Sequence, residues 1–157
     1  MKKIIRFSWI NALVGVVLCT ILFSFSSITG AHSVQVYLDD KLMIDHYVDT
    51  RADAPTLRVN PTENHRDVIV KYSECGRTVT GRTITIKDDN NKVLKDWKFE
   101  GAAAGFEKPM ACSMKDIAAL QSKGGSALKL YYSSNEFPEG QQIAKLIIES
   151  DPKTALK

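Results

Sequence analysis

The 157-residue chain is short of the residue patterns that usually announce a chemical function. It has no G-x-S-x-G or H-E-x-x-H segment, so the familiar serine-hydrolase and zinc-protease arrangements are not written locally. Its three histidines, His32, His46 and His65, are far apart, and a metal or Cys-His site among them would need tertiary convergence. No cysteines stand in C-x-x-C spacing, which disfavours a redox pair, and with Cys19 in the apolar leader set aside, two isolated cysteines and scattered histidines do not supply the four clustered ligands of a structural zinc. Net charge is also scarce. Setting aside the three basic residues among the first 31 leaves 18 basic against 18 acidic residues. A neutral remainder with no basic cluster in sequence has no charge-driven attraction for phosphate backbones, so nucleic acid is not an expected partner. No cofactor and no metal is expected.

What is there begins with a leader. Lys2, Lys3 and Arg6 form a basic head. An apolar stretch follows, including Leu13, Val14, Val16, Val17, Leu18, Ile21, Leu22 and Phe23, and then Ser26, Ser27, Thr29, Gly30 and Ala31. This order is that of a secretory signal peptide over residues 1–31. Thr29 and Ala31 place small residues for cleavage before His32, and Ala31 and Ser33 offer a second cut. The rival is an uncleaved anchor, since residues 9–28 carry no charge and are long enough to span a bilayer. Either way the basic head stays inside and the rest is exported, to the periplasm or beyond. Membrane contact is then confined to residues 1–31, and only if they are retained. Cys19 follows Leu18, too large for a lipobox, so it belongs to the apolar run.

That leaves Cys75 and Cys112. An even count in an oxidising compartment predicts one disulfide between them. Closing that loop would stabilise the fold by about 4 kcal/mol in the chain-entropy model.

Residues 32–150 read as one β domain, with 151–157 as a frayed tail. Alternation marks strands at 34–38 and 42–48 around Asp40 and Lys41, with Leu42, Ile44, His46 and Val48 on one face. Further strands are expected at 56–60, 68–72, 78–87 with a turn or bulge at Gly81, and 92–99 with Val93, Trp97 and Phe99 on one face. The cluster Asp88, Asp89, Asn90, Asn91 predicts a turn. After a loop at 101–105 the period changes: Ser113 and Asp116 are spaced as a helix cap, and about two turns of helix end at Gly124 and Gly125. The last two strands are 128–133 and 142–149. Seven or eight strands and one short helix imply a small, mainly β, antiparallel β-sandwich.

The order Cys75, Trp97, Cys112 resembles that of immunoglobulin domains, where a buried tryptophan packs on the inter-sheet disulfide. The spacing is shorter here, and position 110 is Met where that family has tyrosine. The resemblance therefore implies a generic immunoglobulin-like architecture and no more.

Candidate sites are few. Asp39, Asp40, Asp45, His46, Asp49 and Asp53 gather oxygen ligands around the first hairpin, but without calcium-loop spacing, so a turn and a solvated strand face account for them. His46, alternating with apolar residues, is expected to be partly buried and satisfied. Tyr131, Tyr132 and Phe137 cluster near the last hairpin, with Tyr37 and Tyr47 in the first, and are candidate partner contacts. No catalytic residue is assigned. The expectation is a non-enzymatic binding or assembly module of the cell envelope, its partner another envelope protein, with a glycan second. The alternatives are a secreted enzyme or enzyme inhibitor, which would bring two of Asp45, His46, His65, Glu74 and Glu136 together in a pocket, and small-ligand transport in a roomy interior.

Overall fold

The computed structural model describes residues 32–48, 52–60, 63–74, 76–103, 108–124 and 127–149. The leader, Cys75, Asp49 and the tail at 151–157 lie outside the described residues. The chain divides into two compact units, Met1–Gly30 and Ala31–Lys157, and the second contains every element below. Among the described residues no helix is long and apolar enough to cross a membrane.

Among the described residues nine strands and one helix follow in order: β1 (His32–Leu38), β2 (Lys41–Tyr47), β3 (Thr56–Val59), β4 (Asp67–Glu74), β5 (Arg82–Lys87), β6 (Val93–Phe99), β7 (Met110–Ser113), α1 (Met114–Gly124), β8 (Leu128–Ser133) and β9 (Gln141–Ile148). They form two sheets, sheet A in the order β2-β1-β4-β7 and sheet B in the order β3-β9-β8-β5-β6. The inner faces of both contribute to one core cluster, which includes Val34, Val36, Val68 and Val70 from sheet A and Ile84, Ile86, Leu130 and Leu146 from sheet B. The described residues are thus mainly β, two sheets packed as a sandwich, with one short helix. Period-two alternation is the cause. In β4, Val68, Val70, Tyr72 and Glu74 point inward, and Ile69, Lys71 and Ser73 point outward.

The pairing is antiparallel except at one edge, where β3 runs parallel to β9. This corrects the all-antiparallel expectation. Strand β7 is also new. Its four residues are too short to show a period, and it pairs with β4 from Val70↔Met110 to Asp67↔Ser113. It runs directly into α1, which buries Met114, Ile117 and Leu120 at helical spacing. Asp116, in its first turn, pairs with Lys95 of β6.

Three bulges shift the expected faces. Val36 opposes Ile44 and Tyr37 opposes Leu42, so Met43 is an extra residue and Leu42 turns outward. Leu94 is extra between Lys95 and Val93, which turns Val93 away from Trp97 and Phe99. Ile143 is extra between Ala144 and Gln142, so Ile143 and Ala144 are both buried.

The predicted disulfide is not shown, since Cys75 lies outside the described residues. Cys112 is a free thiol buried in the core. It sits opposite Val68, at the start of β4. Burial and then the charge of Asp67 push the Cys112 thiol up to about 12, which keeps it protonated. Trp97 is only partly buried and lies on edge strand β6 with the Lys95 ammonium 5.0 Å from its ring centre, unlike an immunoglobulin tryptophan packed on a bridge.

Candidate functional site

The aromatic cluster expected near the last hairpin separates when placed on β8. Leu128, Leu130 and Tyr132 face inward, and Lys129, Tyr131 and Ser133 face outward. Tyr132 is fully buried, stacked on Tyr72 with ring centres 3.8 Å apart, and donates its hydroxyl to Glu74 Oε1 at 3.0 Å. It is core, and its expected role as a partner contact is withdrawn. Phe137 packs edge-on to His32, whose Nδ1 lies 2.8 Å from the Tyr72 hydroxyl. Tyr131 stays on the surface, with Lys87 Nζ 3.9 Å from its ring centre.

Glu74 and Arg82 occupy inward positions that alternation would give to apolar residues. Glu74, 6% exposed, accepts from Tyr132 and from Ser134 Oγ at 2.7 Å. Burial, and secondarily this carboxylate's charge, push both Tyr72 and Tyr132 well above the usual phenol range. Arg82, 1% exposed, donates from Nε to Glu100 O and from Nη1 to Lys108 O, each at 2.7 Å. Burial lowers its pKa. Both groups anchor loops at the sandwich end by satisfying buried polar atoms.

The Asp-rich hairpin resolves into a turn support. Asp39 adopts φ 53°, and its Oδ1 accepts from Arg66 N at 2.9 Å and Asp67 N at 3.0 Å. These backbone donors hold its carboxyl below the ordinary carboxylate value. Its Oδ2 lies 3.2 Å from His65 Nδ1, and His65 Nε2 lies 3.0 Å from Glu63 Oε2. Asp39, His65, Arg66, Ser113 and Lys115 line a shallow depression there. Asp45 accepts from Gln35. His46 is partly buried as expected but unsatisfied: its Nδ1 is buried without a hydrogen-bond partner among the described residues. Asp88 Oδ1 accepts from Asn90 N and Lys92 N, closing the turn that the cluster predicts. Glu136 binds Thr80 through its backbone N and hydroxyl, both at 2.8 Å. The hydrogen bonds of Asp45, His65, Glu74 and Glu136 thus go to residues other than the five singled out for a catalytic pair. Among the described residues no three His, Cys, Asp or Glu side chains gather as a metal site.

Two surface features were invisible in the linear sequence because strand register creates them. On the outer face of sheet A, Leu42 opposes Tyr37, Tyr37 opposes Ile69, and Ile69 opposes Ala111. This apolar row crosses all four strands. Leu42 is 44% exposed, and Met43 and Tyr47 lie exposed on the same edge strand. Lys71 sits over the Tyr37 ring at 4.9 Å, and Gln35 accepts from the Tyr37 hydroxyl, giving the row a polar margin. On the outer face of sheet B, Lys145 opposes Lys129, and Lys129 opposes Lys87. No family model matches the chain, and no curated protein is similar to it.

Proposed function

We propose that residues 32–157 form a non-enzymatic binding or assembly module of the cell envelope, a generic immunoglobulin-like sandwich exported by the leader at 1–31. The partner is another envelope protein, docked on the outer face of sheet A. The observation that carries this reading is the apolar row Leu42, Tyr37, Ile69 and Ala111, which lies on the solvent side of the sheet. A solvated sheet face normally alternates to polar residues, and contiguous apolar surface with a polar margin is the anatomy of a protein contact. Edge strand β2, with Leu42, Met43 and Tyr47 exposed, extends the same surface.

The test is retention from envelope extracts by the full chain, compared with Leu42→Asp and Ile69→Asp. One partner is expected on the parent and lost from both variants, whose thermal midpoints stay unchanged. Equal retention by the variants, or no partner together with turnover of a substrate, defeats the proposal. A second reading, a secreted enzyme or enzyme inhibitor, draws on one observation: the depression where Asp39 meets His65. Loss of such an activity on His65→Gln would favour it.

A further inference from the structure

The lysine row on sheet B sets like charges side by side across three strands. Lys145, Lys129 and Lys87 stand directly opposite one another on three adjacent strands. Neighbouring strands are about 5 Å apart, so three ammonium-bearing side chains rise within about 10 Å of sheet. Like charges placed directly opposite one another destabilise a sheet. None of the three forms an ion pair with a carboxylate among the described residues. Lys129 Nζ instead donates to Asp89 O at 3.0 Å and Asn91 Oδ1 at 2.8 Å, and Lys87 lies over the Tyr131 ring.

The next row holds Tyr131 opposite Gln142. There Tyr131, Gln141, Gln142 and Asp53 line a shallow depression. An aromatic ring, two amides and a carboxylate suit a ring of hydroxyls, and the adjacent ammonium groups suit negative charge.

We propose that the outer face of sheet B binds an acidic polysaccharide, with Lys87, Lys129 and Lys145 pairing its acid groups and Tyr131 stacking on a sugar ring. This goes beyond the protein contact on sheet A and stands or falls separately from it, because it uses different residues and a purified ligand. The experiment is titration of the protein with polygalacturonate, an acidic polysaccharide, beside uncharged dextran, single-stranded DNA and phosphatidylglycerol vesicles, at low and high salt. Polygalacturonate should bind in a salt-sensitive way, and dextran should not. Lys87→Gln, Lys129→Gln and Lys145→Gln together should weaken binding by about tenfold or more. Tyr131→Ala should weaken it severalfold with no charge removed, while thermal midpoints show every variant folded. Polygalacturonate binding untouched by the triple variant, dextran bound as well as polygalacturonate, or binding only to DNA or vesicles would overturn the site.

Discussion

Replacing Tyr132 and Tyr131 in turn separates the two faces of β8 by several kcal/mol. Tyr132 is fully buried, stacked on Tyr72, and gives one of two hydroxyl hydrogen bonds to buried Glu74. Truncating a buried aromatic to alanine costs about 3–5 kcal/mol through lost transfer energy and the cavity left behind. A domain of this size has about 5–15 kcal/mol in all, so Tyr132→Ala removes about a fifth of that or more. Tyr132→Phe keeps the ring and removes one donor. Glu74 retains Ser134, so the cost is about 1.5–3 kcal/mol, the range for hydrogen bonds to charged groups. Tyr131 touches Lys87 on the surface, and Tyr131→Ala should cost under about 1 kcal/mol. Urea unfolding of the three variants gives the order directly, read as midpoint shifts at unchanged slope. If Tyr131→Ala proves as damaging as Tyr132→Ala, the inward-outward assignment of sheet B is wrong.

Other outcomes follow from the same geometry. Tyr72, Tyr132 and Cys112 all hold their protons to higher pH when folded than the ordinary values of 10.0, 10.0 and 9.0. Their contribution is therefore complete below those values and declines as pH rises, from about 9 for the thiol and about 10 for the phenols. Thermal midpoints should fall across that alkaline window, and tyrosine absorbance showing both phenols ionising near pH 10 in the folded protein would contradict this. Cys112 should resist alkylation until the protein unfolds, and non-reducing peptide mass mapping should show it unbridged; a bridged Cys112 would refute the free, buried thiol. Lys145→Gln relieves a like-charge pair with Lys129, so it should raise the thermal midpoint slightly at low salt and not at high salt. A fall in the midpoint would show that the row is structural.

Much of the fold is legible from alternation, and what is not has identifiable causes. The inward series Val68, Val70, Tyr72 and Leu128, Leu130, Tyr132 are plain in the sequence. Carried one step further, the first would have placed Glu74 inside, and the second would have assigned Tyr132 to the core. Bulges at Met43, Leu94 and Ile143 break the period by one residue, which no propensity marks, and so Leu42 and Val93 were placed on the wrong face. Strand β7 has only Met110 and Cys112 facing inward, too little pattern to see. The surfaces were least legible. Leu42, Tyr37, Ile69 and Ala111 become neighbours only through pairing, as do Lys87, Lys129 and Lys145, and register is set by tertiary packing.

Site-specific photo-crosslinking in the producing cell tests the central claim most directly. A photoreactive residue at position 42 or 69 of the full chain should give a discrete adduct with one envelope protein, whereas one at position 83, on the outer face of sheet B, should give none. No adduct from 42 and 69, or equal adducts from all three positions, would contradict a binding module that works through the face of sheet A.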